Sequence, residues 1–316
     1  MGRSVCILHT GGTIGMAPGP SGLAPVAGFE DRVRALMPNG EFGWRELAPL
    51  LDSSAMMPAD WQRIAAAVRE AVGGYDAVVV LHGSDTLAWT GAALSFLLSD
   101  LAAPVVLTGS MVPLGGKESD APANLALALH VARTMPGGGV RIAFGRRVMR
   151  GTRAIKVDAG RAEAFDAPSD RGFDWREVGE EPATARHDDL APVGVVTLHP
   201  GAGRAPLDGH AGWPGLVVEA FGSGNMPGQG SDWHAGLAAL RARGTEIAVV
   251  TQCLRGAVAA GTYAAGASVA DLGMIPCGDM TTQAAAAKLA WLLAQGLRGT
   301  ALAEAMRRPV VGEISA

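Results

Sequence analysis

The stretch Ala77-Val78-Val79-Val80-Leu81, followed at once by His82-Gly83-Ser84-Asp85-Thr86, constrains the fold more than any other part of the chain. A short β-branched run without polar alternation predicts a strand buried on both faces. Beyond the glycine turn, Trp89, Ala92, Ala93, Phe96, Leu97 and Leu101 recur at helical spacing, so the unit reads strand, turn, helix. A hydroxyl (Ser84) and a carboxylate (Asp85) then stand at the carboxyl edge of a buried strand, where open parallel sheets bind ligands. The competing explanation is local, since Ser and Asp at such positions often do no more than cap the next helix.

The same construction recurs. Ser4–His9 reads as a buried strand ending in Thr10-Gly11-Gly12-Thr13-Ile14-Gly15-Met16. Leu47–Leu51, a strand-like or irregular piece, leads to Asp52-Ser53-Ser54-Ala55-Met56, and Pro58 suits the first turn of a helix through Trp61, Ile64, Ala65, Val68 and Val72. Pro104-Val105-Val106-Leu107 runs into Thr108-Gly109-Ser110-Met111, with a helix expected over Asp120–Arg133. Four strand ends carrying hydroxyls or carboxylates fit one shared pocket better than four coincidental caps. The first turn lacks the Gly-Lys-Ser/Thr ending of a P-loop and the full glycine spacing of a dinucleotide site.

Further along, Val140–Phe144 reads as a strand and Arg146–Lys156 as a basic segment whose arginines are expected to be solvated or paired with surface acids. Lys156 differs, because Ala154, Ile155 and Val157 flank it and favour partial burial. A buried lysine can serve as a base near neutral pH. A polar, aperiodic stretch from Pro168 to about Leu190 suits a linker. Strands at Val193–Leu198, Leu216–Ala220 and Glu246–Thr251 then alternate with helices near Asp232–Arg243, Ala260–Asp271 and Ala284–Leu297. The expected fold is therefore α/β with two domains: a larger N-terminal parallel-type sheet domain (1–175), a linker (176–192) and a smaller C-terminal parallel-sheet domain (193–316).

Composition narrows the partners. A net charge of −4 without a basic block recommends neither nucleic acid nor an anionic membrane. No apolar run approaches the roughly 18–20 residues that span a bilayer. The three cysteines, Cys6, Cys253 and Cys277, are far apart and lack metal spacing, which suits a reduced, cytoplasmic protein. The candidate pocket thus holds alcohols, one Asp and one Lys, with no metal and no cofactor expected. His9 and His82 stand at strand ends, where a histidine is more often a satisfied core residue, and neither sits at a Gly-x-Ser-x-Gly elbow. An alcohol activated by a Lys–Asp pair is a recognised acyl-transfer arrangement. Backbone N–H groups of the glycine turns are suited to an oxyanion, which places Gly12 and Gly83 in the binding set.

On the motifs Thr10-Gly11-Gly12-Thr13-Ile14-Gly15-Met16, Asp52-Ser53-Ser54, His82-Gly83-Ser84-Asp85-Thr86, Thr108-Gly109-Ser110, Arg150-Gly151-Thr152-Arg153 with Lys156, and Gly224-Asn225, the chain resembles the cytoplasmic type I bacterial L-asparaginases over essentially its whole length. The resemblance implies hydrolysis of L-asparagine to L-aspartate and ammonia through an acyl-enzyme, at a dimer interface usually within a homotetramer. It makes Thr13 the nucleophile, puts Ser84 at the position of a second catalytic threonine, and groups Asp85 and Lys156 as the proton relay. Asp85 would also meet the substrate α-amino group, and Ser53 and Ser54 its α-carboxylate.

Three positions depart from that family's pattern. Ser84 stands where threonine is usual, so the hydroxyl survives without the methyl that restricts its rotamer. Leu23 occupies the place of a lid tyrosine and cannot donate a hydrogen bond, which leaves nearby Ser21 as a conceivable substitute. Ala55 replaces a common acidic residue. These departures keep two other readings open: an amidase for glutamine or another small amide, and a catalytically weak protein that binds an amino acid.

Overall fold

The computed structural model describes residues 2–19, 22–37, 41–177, 184–258 and 267–315, and the chain divides into two compact units, Met1–Arg186 and His187–Ala316. Ser21, part of the 176–192 linker and the start of the helix expected near Ala260 lie outside the described residues.

In the first unit, in chain order, the strands are β1 (Val5–Gly11), β2 (Met16–Gly19), β3 (Gly22–Pro25), β4 (Gly43–Leu51), β5 (Ala77–Leu81), β6 (Pro104–Thr108), β7 (Gly139–Phe144), β8 (Arg147–Arg150), β9 (Ile155–Lys156) and β10 (Phe165–Asp166). The main sheet has the order β4-β1-β5-β6-β7-β8. All its pairings are parallel except β7 with β8, a hairpin that makes the sheet mixed at one edge. Part of the basic run thus becomes an antiparallel edge strand, which the charge pattern did not disclose.

Every residue of β1, β5 and β6 is buried. Alternate side chains of a strand point to opposite faces, and each face here has its own helices. Val5, Ile7, Ala77, Val79, Leu81 and Val106 pack with Leu125, Ala128 and Leu129 of helix Ala121–Thr134. Helices Pro58–Val72 and Leu87–Leu97 pack against the sheet as well, the first on β1 and β5, the second on β6 and β7. Each fully buried Val or Leu contributes about 1.5–3 kcal/mol, which explains the uninterrupted apolar runs. By contrast β4 is an edge strand with every residue at least partly exposed; it runs nine residues, longer than the Leu47–Leu51 expected, and its edge position tolerates Pro49.

Register matters most for the site. His9 pairs with Leu81, Leu81 with Thr108, and Gly11 with Leu51, so the carboxyl ends of β1, β4, β5 and β6 lie along one edge.

The second unit carries β11 (Val193–Thr197), β12 (Gly215–Ala220), β13 (Glu246–Thr251) and β14 (Ile275–Pro276) as a four-stranded, all-parallel sheet in that order. Helix Asp232–Ala242 places Trp233, Leu237 and Leu240 on Leu216, Val218, Ile247 and Val249. Helix Thr282–Ala294 packs on β11, β12 and β13, capped by the Thr281 hydroxyl, which accepts from Ala284 N–H. That helix also buries Lys288, whose ammonium donates to the Met306 and Arg308 carbonyls and pairs at 2.5 Å with Glu313, neither side chain being exposed. Burial pushes the lysine down and the Glu313 charge opposes that shift. Glu313→Gln, which leaves this ammonium without a counter-charge, is expected to destabilise the second unit by about 3–5 kcal/mol in denaturant unfolding; an unchanged unfolding midpoint would refute the assignment.

Candidate active site

At the shared strand edge the backbones of two turns touch. Gly11 and Gly12 have φ of 125° and 93°, a region that side chains rarely adopt. A Cβ on Gly12 would lie 2.5 Å from the Cα of Gly83, and one on Gly83 would lie 2.7 Å from the Cβ of Ser53. The turns after β1, β4 and β5 therefore converge on one point through Gly12, Ser53 and Gly83. Thr13 follows directly and opens a short 3-10 turn, Thr13–Gly15, with its own side chain half-buried. Ile14 plunges into the core, and the Gly15 carbonyl accepts from Val26 N–H, so the nucleophile candidate sits on an anchored turn.

Hydroxyls lace these turns together. Thr10 donates to the Leu81 carbonyl at 2.8 Å, Thr86 to the Ser53 carbonyl at 2.8 Å, and Thr108 to the Ala143 carbonyl at 2.7 Å. The turn after β6 is held by Asp120, which accepts from Met111 and Val112 N–H, and by Asn124, which donates to the Gly109 carbonyl and accepts from Gly145 N–H. In the sequence Asp120 marks only the start of a helix. The Asp–Asn pair at i and i+4, on the face turned toward the strand end, was the available signal.

Lys156 enters from β9, where it pairs with Phe165 of β10, and Phe165 stacks on Phe144 at 4.9 Å. Its ammonium donates to Ser84 Oγ at 3.0 Å and to Asp85 Oδ1 at 2.8 Å. Ser84 is buried, the lysine side chain is 21% exposed and the aspartate 63%. An ion pair this open adds little stability; what it fixes is direction, holding the amine against the serine hydroxyl. Of the other arginines in the basic run, Arg147 pairs with Asp166 and Arg150 with Asp170, as expected for a charge run, whereas Arg153 is buried.

The two serines after β4 divide. Ser53 is buried against Gly83, whereas Ser54 is exposed and donates both its N–H (2.9 Å) and its hydroxyl (2.8 Å) to Asp52 Oδ1, so capping occupies it in this structure. Ala55 is exposed. Leu23 lies 49% exposed on the β2–β3 hairpin, opposite Pro18.

Comparison with known proteins agrees with this arrangement of motifs. The family model "Asparaginase, N-terminal" matches residues 4–177, and "Glutaminase/Asparaginase C-terminal domain" matches residues 192–306. The chain belongs to the asparaginase family. It is 37% identical to L-asparaginase 1 of Escherichia coli (strain K12), covering 99% of this chain and 98% of that one. Among solved structures, L-asparaginase I from Vibrio cholerae superposes with a TM-score of 0.86 at 35% identity, and the thermostable L-asparaginase from Thermococcus kodakarensis with 0.86 at 33%, each covering 99% of both chains. The chain also shares 35% identity with the human 60 kDa lysophospholipase, covering 99% of this chain and 62% of that protein.

Both strand-end histidines of this asparaginase-family chain are core residues. His9 packs on Phe29 at 4.8 Å and Trp44 at 5.9 Å, and Gly15 leaves room for its ring. Burial pushes His9 and His82 down to about 4, from an ordinary 6.5. Between those values the unfolded chain binds protons that the folded chain refuses. Stability of the first unit is therefore expected to fall as pH drops from about 6.5 to 4, by about 1.4 kcal/mol per pH unit for each histidine. Denaturant midpoints measured across that range check this, and a flat profile would contradict it.

Proposed function

We propose that the chain hydrolyses L-asparagine to L-aspartate and ammonia through an acyl-enzyme on Thr13. The Lys156–Ser84–Asp85 contact, standing at the strand edge that also carries Gly12, Thr13 and Ser53, carries this reading together with the family assignment. In the first step the Thr13 hydroxyl adds to the side-chain amide carbon, and its proton passes by way of the Ser84 hydroxyl to Lys156, which acts as the neutral amine and becomes the ammonium. Backbone N–H groups at Gly12 and Gly83 are suited to the developing oxyanion, where preorganised donors are worth most. The C–N bond breaks, the relay returns the proton to the departing nitrogen, and ammonia leaves. Water then hydrolyses the ester and restores Thr13. Asp85 orients the lysine and takes the substrate α-amino group, while Ser53 and Ser54 take the α-carboxylate. Ser54 serves that role only by giving up its bond to Asp52.

The proposal extends to a homo-oligomer acting in the cytoplasm on a small-molecule substrate, in keeping with three unpaired cysteines. Among the described residues no helix is long and apolar enough to cross a membrane. Glutamine differs from asparagine by one methylene, a difference worth about 1–3 kcal/mol of discrimination. Ammonia release is therefore measured with asparagine, with glutamine and with neither. Thr13→Ala is expected to lose on the order of 10⁴-fold or more in kcat, and Ser84→Ala or Lys156→Met about 10²–10⁴-fold. Release from glutamine alone would shift the substrate assignment. Tight binding of asparagine without release would make the chain an amino-acid-binding protein instead, the outcome that Leu23 favours. A Ser84→Ala variant with full activity would remove Ser84 from the relay.

A further inference from the structure

We infer that His82 is a positioning residue for Ser84, acting as a neutral imidazole of one fixed tautomer at the end of a hydrogen-bond chain that begins at Trp61. The inference rests on the asparagine-hydrolysis reading, since it concerns how the relay hydroxyl is held.

The tautomer follows from which partners can donate. His82 Nδ1 lies 2.7 Å from the Gly83 carbonyl oxygen, and a carbonyl can only accept, so Nδ1 carries the proton. Burial keeps the ring neutral, leaving a lone pair on Nε2. Thr90 Oγ1 stands 3.0 Å from that nitrogen and must donate to it. Trp61 Nε1, which can only donate, lies 3.1 Å from Thr90 Oγ1 and fills the threonine's acceptor side. Met56 Sδ, 3.0 Å from Nε2, would be the partner in the opposite tautomer, but a thioether is a weaker acceptor than the carbonyl on Nδ1. Every proton in the sequence Trp61, Thr90, His82, Gly83 therefore runs one way.

The end of that chain is at the site. Gly83 has no side chain to hold its peptide, and glycine alone permits wide rotation. With its carbonyl fixed by His82, the planar Gly83–Ser84 peptide is fixed too, and with it the Cα from which Ser84 Oγ reaches Lys156 at 3.0 Å. On the other side of the same Cα, the His82–Gly83 peptide is packed against Gly12, and Gly83 itself against Ser53, so rotation about the Gly83 Cα would disturb the relay and these packed turns together. Sequence alone gave His82 no role beyond filling the core.

The test uses the full-length protein and two substitutions that each keep half of the imidazole. His82→Asn places an amide N–H near the Nδ1 position and preserves the bond to Gly83. His82→Gln places it near Nε2 and loses that bond. With matched melting temperatures, His82→Asn is expected to stay within about threefold of the parent kcat, and His82→Gln to lose roughly tenfold to 10²-fold, with KM nearly unchanged in both. Equal kcat in the two variants overturns the inference, because a histidine that merely fills space does not distinguish them. If neither variant folds, the parent protein decides alone. Nitrogen-15 NMR of the His82 ring is expected to report the Nδ1–H tautomer, and its conversion to a mixture in Trp61→Phe; an Nε2–H tautomer in the parent overturns the proposal. If the parent itself releases no ammonia from asparagine, the functional reading fails, while the NMR result still judges the hydrogen-bond chain.

Discussion

The contact of Gly12 with Gly83, and of Gly83 with Ser53, admits no side chain at either glycine. Around it the rest of the first unit is arranged. Parallel strands in register bring their carboxyl ends to one edge, but register alone leaves neighbouring strands about 4.8 Å apart with their turns splayed. Two glycines let the turns close over that edge until backbone meets backbone. The closure is then locked by hydroxyls on Thr10 and Thr108, which bond to the neighbouring strand, and on Thr86, which bonds to the turn after β4. Each of these hydroxyls adds a side-chain bond to a backbone carbonyl, worth about 0.5–1.5 kcal/mol. The polar strand ends are thus part of the fold as well as the lining of a site.

Charge plays a smaller part than the motif suggests. The Lys156–Asp85 pair is too exposed to hold the structure together, in contrast to Lys288–Glu313, which is fully enclosed and further bonded to backbone. The first pair is open to solvent and therefore to a ligand. The second is closed and serves only to tie the final residues to a helix. Burial, more than residue type, separates a lysine available for chemistry from one consumed by architecture.

How much of this was legible in the sequence follows from how local each feature is. The strands β5 and β6, the helices after Pro58, Thr86 and Asp120, and the grouping of Thr13, Ser53, Ser84 and Asp85 at strand ends all follow from short apolar runs and their turns. Partial burial of Lys156 was visible in its apolar neighbours. The antiparallel β8 edge was not, because Arg147–Arg150 reads as a solvated charge run until β7 supplies a partner. Burial of Arg153 was hidden for the same reason. The Asp120–Asn124 clamp and the Trp61–Thr90–His82 chain join residues from 4 to 29 positions apart through polar side chains, and hydrophobic periodicity carries no trace of such partners. Ser53 and Ser54, adjacent and chemically alike, could be told apart only by a third residue, Asp52, that captures one of them.

The departures from the family pattern fall where the fold constrains least. The β2–β3 hairpin exposes all four residues of its second strand, so Leu23 packs into no core and its identity costs the fold little. Ser84 loses only a methyl beside a hydroxyl already directed by Lys156. Gly12, Gly83 and Ser53, by contrast, have no room to vary, because each fills the space the others leave. Steric constraint is therefore tight at the strand edge and slight at the exposed hairpin, which is why the scaffold of the site tolerates these departures.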